Sequence, residues 1–232
     1  MIQIILLLYT LAQVAVANVE KIIFTGPPAS TLPSAITART ISSLNIHTLT
    51  HDVPSIHTEL KRIFASTQSG LHGKSSWVSV QNLTENQRYE MRVCWSALEP
   101  TRFDIKIHTL DAVAEDPALF QSINAFSASR QDAQVTEESA ARLLDRSSSL
   151  LIEIQAAADY FTDDKELMSN PPPVLVDLIL DPFLLNVLPR SLLPTVGYLL
   201  LVGVTTWSVA RWIASGLQSA ATSPASKLRK EE

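Results

Sequence analysis

Several segments in the first half of the chain alternate between apolar and polar residues. From Tyr89 to Trp95 the apolar side chains fall on every second position, and polar residues stand between them. A period of two is typical of a β-strand with one buried face. The alternating segments are 22–24, 77–80, 89–95 and 103–110. The last two of these are joined by SALEPTR, in which Pro100 suits a turn, and they are predicted to form a hairpin.

The sequence NLTENQRYEMRV, which leads into the third segment, looks like the tyrosine corner of immunoglobulin-like and fibronectin-type sandwiches. In that corner a tyrosine entering a strand hydrogen-bonds to the preceding loop, which is the role expected of Tyr89. We therefore expect residues 18–110 to form an immunoglobulin/fibronectin-like β-sandwich. The fold class is then mainly β, followed by a helical segment and one C-terminal transmembrane helix.

Residues 111–173 change to a helical period. From Thr136 to Phe161, apolar or small residues recur at alternating steps of four and three. This spacing predicts one helix of about 25 residues with Thr136 as its N-cap. Packing against the sandwich is the favoured interpretation, and a coiled-coil seam is the alternative. The sequence NPPP at 170–173 ends the region as a stiff break.

The segment 174–190 is apolar but contains Asp177 and Asp181, one helical turn apart. It is too short and too acidic to span a bilayer. We expect a short membrane-proximal helix lying at the interface, with both carboxylates toward water. A catalytic pair of carboxylates is the alternative use of the same spacing.

Two apolar runs indicate membrane targeting and attachment. Residues 1–17 end in Ala-Val-Ala, the pattern that a signal peptidase accepts before Asn18, so we expect a cleaved signal peptide, with an uncleaved anchor as the alternative. Residues 191–210 carry no charge. As a helix they are about 30 Å long, which matches the hydrocarbon core of a bilayer. We expect a transmembrane helix there; a buried helix of a soluble protein is the alternative.

The charges around this span predict its orientation. Basic residues follow it at Arg211, Lys227, Arg229 and Lys230, whereas Arg190 is the one basic residue among the twenty before it. The positive-inside bias therefore places residues 211–232 in the cytosol and residues 18–190 in the lumen.

Two short motifs predict the glycosylation and the cellular location of such a protein. Asn82-Leu83-Thr84 is the one N-x-S/T site in the sequence without an intervening proline, and we expect Asn82 to be glycosylated in the lumen. The tail KLRKEE places Arg229 and Lys230 close to the dilysine retrieval pattern of endoplasmic reticulum membrane proteins. An ordinary positive-inside flank is the alternative.

Composition and motifs do not favour catalysis or nucleic-acid binding. The apolar fraction of 46% is high for a protein wholly in water, and the net charge of -5 offers no basic footprint for nucleic acid. No hydrolase, zinc-protease or nucleotide-binding motif is present, so we expect no enzyme, cofactor or metal. His47 and His51 are four apart, but HTLTHDVP does not suit a helix; a zinc site is the alternative. The single cysteine, Cys94, is expected to be inert, with an intermolecular disulfide as the alternative.

The apolar sequence from 174 to 210 is nearly twice as long as one span requires. Gly197 and Gly203 leave room for close approach of another helix, and Thr205 and Thr206 can hydrogen-bond across a helix interface. We expect these four residues to bind a membrane partner, with the lipid bilayer as the other contact.

Two stretches, NVEKIIFTGPP after the signal peptide and QRYEMRVCWSALEPTRFDI some sixty residues on, resemble the fungal accessory subunit (co-activator) family of GPI mannosyltransferase II. The resemblance implies an endoplasmic reticulum membrane glycoprotein with one C-terminal span. It also implies a non-catalytic partner of the multi-span subunit that adds the second mannose during GPI-anchor biosynthesis. The alternatives are a luminal recognition or cargo-binding module on a type I anchor, and an accessory subunit of GPI mannosyltransferase I.

Overall fold

The computed structural model describes residues 18–28, 44–65, 72–130 and 148–222. The predicted signal peptide, the retrieval residues Arg229 and Lys230, and the predicted helix start at Thr136 lie outside these ranges. The strands are β1 (Val19–Thr25), β2 (His47–Leu49), β3 (Ser55–Leu60), β4 (Ile63–Phe64), β5 (Lys74–Leu83), β6 (Arg88–Trp95), β7 (Thr101–Thr109), β8 (Ser148–Ala158), β9 (Val174–Leu184) and β10 (Leu188–Pro189). The helices are α1 (Leu110–Glu115), α2 (Pro117–Ala128), α3 (Lys165–Ser169) and α4 (Leu193–Thr222), and a 3₁₀ turn (Arg190–Leu192) precedes α4.

The strands form two five-stranded sheets. In the first, the β9 sheet, β9 pairs with β6 along one edge and with β3 and β10 along the other, and β1 pairs with the outer edge of β6. In the second, the β8 sheet, β8 lies between β5 and β7. Strand β2 pairs with β5, and β4 pairs with the end of β8; these two pairs are parallel and the others are antiparallel.

One hydrophobic core lies between the two sheets. It includes Met91 and Val93 from β6, Val176 and Leu178 from β9, and Ile154 from β8, each no more than 1% exposed. Side chains at every second position of β6 therefore point into the core, which confirms the strand predicted at 89–95. The chain is mainly β-sheet, as expected. Its relation to immunoglobulin or fibronectin sandwiches stays a prediction.

Tyr89 makes the hydrogen bond that the tyrosine corner predicted. Its hydroxyl accepts from the backbone N–H of Thr84 at 2.9 Å, and its ring stacks on Phe24 with 5.7 Å between centroids. Gly26 packs against the same corner: a Cβ there would lie 2.1 Å from the carbonyl oxygen of Thr84, so only glycine fits. The corner thus fixes β1 and the β5–β6 loop to the start of β6.

The hairpin predicted between β6 and β7 is wrong. Strand β6 pairs with β1 and β9, whereas β7 pairs with β8 in the other sheet. The connection crosses from one sheet to the other, and the rings of Trp95 and Phe103 meet 4.6 Å apart across it. Alternation predicts a strand with one buried face, but both strands bury that face in the same core without being neighbours.

The long helix predicted from Thr136 is wrong over residues 148–158, which form the central strand β8. One face of β8 places Ile152 in the shared core. Its other face places Leu151 in a second cluster with Val113 of α1 and Ile123 of α2. Because both faces are buried, apolar residues occupy consecutive positions, and such a run also fits steps of three and four. The region 111–173 does contain helices α1, α2 and α3.

The interfacial helix predicted for 174–190 is also wrong, because this segment forms β9, β10 and the 3₁₀ turn. Alternate residues from Val174 to Leu180 are buried, which is a strand period rather than a helical one. The two carboxylates expected to face water differ: Asp177 is exposed and Asp181 is buried. They contact different partners, which does not fit a catalytic pair.

The C-terminal helix α4 is 30 residues long. The apolar stretch Arg190–Ser219, which consists of the 3₁₀ turn and most of α4, is long enough to cross a membrane, and its most apolar 18 residues are not covered by the rest of the described protein. This finding agrees with the predicted span at 191–210, although the helix continues past Arg211. Pro194 lies in the first turn, where its missing N–H costs no internal hydrogen bond.

Candidate membrane and partner-binding site

Helix α4 presents large apolar side chains on all sides. Tyr198, Leu200, Trp207 and Trp212 are between 65% and 75% exposed. No residue of its most apolar 18-residue window is buried by the described protein. Leaving this surface in water forgoes roughly 25 cal/mol of stabilisation for each Å² that burial would remove from water. The helix therefore favours an apolar surrounding, such as a bilayer or a membrane partner.

The four predicted partner-binding residues all lie on α4 but do not share one face. At about 100° per residue, Gly197 and Thr205 are about 80° apart, and Gly203 and Thr206 are about 60° apart on nearly the opposite side. No atom comes within 4 Å of a Cβ built on either glycine. The hydroxyl of Thr205 donates within its own helix, to carbonyls one turn back.

A buried polar junction joins the β9 sheet to the start of α4. The carboxylate of Asp181 accepts from the backbone N–H of Ser191 at 3.2 and 3.3 Å from its two oxygens. Arg92 donates to the same carboxylate at 3.2 Å and to the hydroxyl of Ser191 at 3.2 Å. The side chain of Asp181 is 6% exposed. These contacts hold the chain two residues before α4 against the middle of the sheet.

The junction continues along the outer face of the β9 sheet. Glu90 lies 3.4 Å from the Nε of Arg92 and 3.4 Å from the Nζ of Lys21 on β1. Together, Lys21, Glu90, Arg92, Asp181 and Ser191 form what we call the junction network. Its acidic side chains are almost fully buried, so each needs its cation, and removal of one partner leaves an uncompensated buried charge.

Sequence reasoning missed this network. In β6 the charged positions Glu90 and Arg92 alternate with core residues, which is the usual pattern of a solvated face. The signal that would have revealed it is a pair of opposite charges on one strand, together with Asp181 in an otherwise apolar part of another strand.

Asn82 lies at the exposed end of β5, not in the loop that follows. Its φ of 57° accompanies a shift in the pairing register between β5 and β8. Leu83 is buried, so the backbone turns the Asn82 side chain outward. Thr84, the third residue of the sequon, is exposed as well. The geometry presents Asn82 to solvent, and its glycosylation stays a prediction.

Cys94 is a half-buried free thiol on β6. Burial raises its pKa, the nearby carboxylate of Asp177 also raises it, and Arg92 opposes them. A raised pKa disfavours the reactive thiolate. Asp177 itself pairs with Nδ1 of His57 at 2.6 Å.

The histidines predicted as alternative zinc ligands do not meet. His47 on β2 faces the Thr58 hydroxyl at 3.1 Å and Arg130 at 3.4 Å, whereas His51 is exposed in the next loop. Burial and then the charge of Arg130 lower the pKa of His47 to about 4. Within the described ranges no three His, Cys, Asp or Glu side chains are grouped as metal ligands.

An open cleft of about 500 Å³ lies between β3, β5 and the end of α2. Its charged lining consists of Lys61, Lys74 and Arg130 against Glu59. The excess of cations suits an anion, but the three cations belong to separate elements and both lysines are exposed.

Comparison with known proteins identifies the family of this chain. A family model described as GPI-Mannosyltransferase II co-activator matches residues 8–211, a range that includes both sheets, the junction network and most of the apolar length of α4. A protein of Schizosaccharomyces pombe named as a GPI mannosyltransferase 2 subunit is 36% identical over 53 residues. That alignment covers 23% of this chain and 29% of the relative, so less than a third of the relative's length is spanned. No solved structure matches. The family match covers most of the chain, and the protein therefore belongs to the GPI-mannosyltransferase II co-activator family.

Proposed function

We propose that the protein is a non-catalytic accessory subunit of GPI mannosyltransferase II in the endoplasmic reticulum membrane. In this proposal it supports the addition of the second mannose by a multi-span catalytic subunit. The observation that carries the proposal is the family match over residues 8–211, which includes both sheets and most of the apolar length of α4. The S. pombe relative is itself named as a subunit, which favours an accessory role.

The junction network gives this role a physical basis. The bonds from Asp181 and Arg92 to Ser191 hold the start of α4 on the β9 sheet. A movement of the helix is therefore transmitted to the sheets instead of being lost in a flexible linker. A subunit that orients luminal groups beside a membrane enzyme needs such a connection.

The proposed topology is single-pass type I, with residues 18–190 in the lumen and residues 211–232 in the cytosol. Retrieval through Arg229 and Lys230 keeps the protein in the endoplasmic reticulum. Changing both residues to serine should let it reach the Golgi, as seen by Golgi-type processing of a glycan. If its location is unchanged, residence depends on the partner instead.

The partner is proposed to contact one face of α4. Two matched double variants distinguish the faces: Gly197→Leu with Thr205→Leu, and Gly203→Leu with Thr206→Leu. Each pair adds similar volume and apolar area, and a single contact face requires that only one pair disrupts co-purification of the catalytic subunit. Equal retention in both variants would move the partner-binding site into the lumen.

The test of the function is depletion of the protein, followed by analysis of accumulated GPI precursors. An accessory subunit of the second enzyme predicts precursors that carry one mannose. Precursors without mannose would indicate the first mannosyltransferase, and unchanged GPI synthesis would favour a recognition or cargo-binding module. Purification in mild detergent should also recover a stoichiometric multi-span partner.

A further inference from the structure

The hairpin between β9 and β10 has an unusual tip. Leu184 pairs with Leu188, and the N–H of Val187 donates to the carbonyl of Leu184 at 3.1 Å. Leu185 and Asn186 have φ values of 52° and 58°. Two consecutive left-handed residues normally select Asn and Gly, and a bulky leucine is strained in this conformation. The conformation of the turn therefore does not explain why a leucine occupies position 185.

Polar contacts fix the inner side of this tip. The side chain of Asn186 accepts from the backbone N–H of Arg88 at 2.8 Å and donates to the carbonyl of Asn86 at 2.9 Å. Arg88 also donates to the backbone carbonyl of Asn186 at 3.1 Å, and its guanidinium lies over the ring of Phe183. The tip is thus held on the β5–β6 loop, with its polar groups turned toward the protein.

Apolar side chains occupy the outer side. Leu184, Leu185 and Val187 are 47%, 88% and 78% exposed. Among the described residues of the sheets and their loops, other exposed large apolar residues, such as Leu98 and Phe161, are not adjacent in sequence to one another. Single exposed apolar residues are ordinary on a protein surface. This rigid tip turns its polar groups toward the protein and exposes three apolar side chains. A turn that faces water has the opposite arrangement.

The chain itself indicates what covers the tip. Ser191 lies beside Asp181, so the start of α4 is about four strand residues, roughly 13 Å, from Leu185. The interfacial layer on each side of a bilayer is about 5–8 Å thick, and a nearby apolar tip can reach it. The exposed side chains of Leu192 and Leu193 extend the apolar surface from the tip to the helix.

We propose that the tip formed by Leu184, Leu185 and Val187 inserts into the luminal surface of the bilayer beside α4. This inference rests on the proposed membrane attachment through α4. The tip and the helix then form two points of attachment, which fix the tilt of the sheets over the membrane.

The test uses the full-length protein in phosphatidylcholine vesicles that carry a nitroxide lipid. With Cys94→Ser as background, single variants Leu185→Cys, Leu98→Cys and Leu200→Cys receive an environment-sensitive fluorophore. Leu98 is the matched control, because it is an exposed leucine beyond the far end of β6. Leu200 reports the span. Lipid quenching should be several-fold stronger at Leu185 than at Leu98.

The outcomes distinguish insertion of the tip into lipid from the membrane span of α4. Strong quenching at Leu200 with equal, weak quenching at Leu185 and Leu98 overturns the tip insertion but keeps the span, whereas weak quenching at Leu200 contradicts the span itself. If the label on Leu185 is shielded only in the complex with the catalytic subunit, the occupant is protein and the lipid proposal is wrong. A second variant, Leu185→Asn, tolerates the left-handed backbone better. It should keep or raise the unfolding temperature while Val187→Cys, labelled in that background, loses its lipid quenching.

Discussion

Replacing Asp181 by asparagine should destabilise the two sheets and loosen α4 from them. The change keeps the size of the side chain but removes its charge. Asp181 accepts from Ser191 and Arg92 with both of its oxygens. An asparagine has one oxygen to accept with, so its NH₂ group must face one of these donors. The variant therefore loses an ion pair and places two donors against each other.

The size of the effect depends on which charges still compensate Arg92 in the variant. Breaking a buried ion pair by removing one partner costs about 3–5 kcal/mol when the other charge is left alone. Here Arg92 keeps Glu90 at 3.4 Å, which compensates part of its charge. We therefore expect a loss of about 2 kcal/mol in the free energy of unfolding, or about 4–8 °C in Tm for a domain of this size.

Asp177 provides a matched control on the same strand. It is also a strand aspartate with a side-chain partner, Nδ1 of His57 at 2.6 Å, but Asp177 is 57% exposed and His57 is 63% exposed. Exposed pairs contribute little because water screens them, so Asp177→Asn should cost no more than about 0.5 kcal/mol. Both variants remove one carboxylate charge from β9, and they differ in the burial of that carboxylate.

The assay is protease resistance of the full-length protein in detergent as temperature rises. Asp181→Asn should unfold several degrees below the wild type, and cleavage between the sheets and α4 should begin first. Asp177→Asn should follow the wild type. Equal unfolding temperatures for the two variants would refute the junction network as a structural connection.

Three further predictions concern the sheets and the sequon. Tyr89→Phe should lower the free energy of unfolding by about 1 kcal/mol, because the N–H of Thr84 loses its acceptor; an unchanged urea midpoint would contradict the tyrosine corner. Burial and Arg130 lower the pKa of His47 from 6.5 to about 4, so the unfolded chain binds a proton in this window that the folded chain does not. Stability should thus fall as pH drops from 6.5 to 4, and His47→Asn should reduce that fall by about 1–2 kcal/mol after solvent screening; parallel pH profiles in urea unfolding would count against this. Finally, endoglycosidase should increase the gel mobility of the wild type but not of Asn82→Gln or Thr84→Ala, and an unshifted wild type would show that the site is unused.

Alternation predicted parts of β1, β5, β6 and β7, but β3, β8 and β9 were not predicted as strands. Alternation from Tyr89 to Trp95 identified β6 because one side of it meets the core. Strand β8 lacks this pattern, since α1 and α2 cover its second face. For β9, the apolar run continues into β10 and α4, so its length suggested a membrane segment. The spacing of apolar residues along the chain indicates which residues are buried, but it does not indicate which element buries them.

The functional residues show the same limit. The resemblance to the co-activator family and the apolar helix could be predicted, because a motif and a long uncharged run are local features. The burial of Asp181 could not, because it depends on the chain folding back through β10 to place Ser191 beside it. The pairing of Gly197 with Thr205 on one face of α4, away from Gly203, could also be predicted, because residues 191–210 were expected to form one helix of known period.

The junction network and the helix faces are parts of one constraint. The 3₁₀ turn at Arg190–Leu192 connects directly to α4, and the N–H of Leu193 donates to the carbonyl of Arg190. With Ser191 held by Asp181, few rotatable bonds separate the β9 sheet from the first turn of the helix. The rotation of α4 about its axis is therefore coupled to the orientation of the sheets. A partner that selects the face of Gly203 or that of Gly197 also selects the orientation of the two sheets relative to itself. Under the proposed accessory function, this coupling lets a contact in the membrane determine how the two sheets are oriented beside the enzyme.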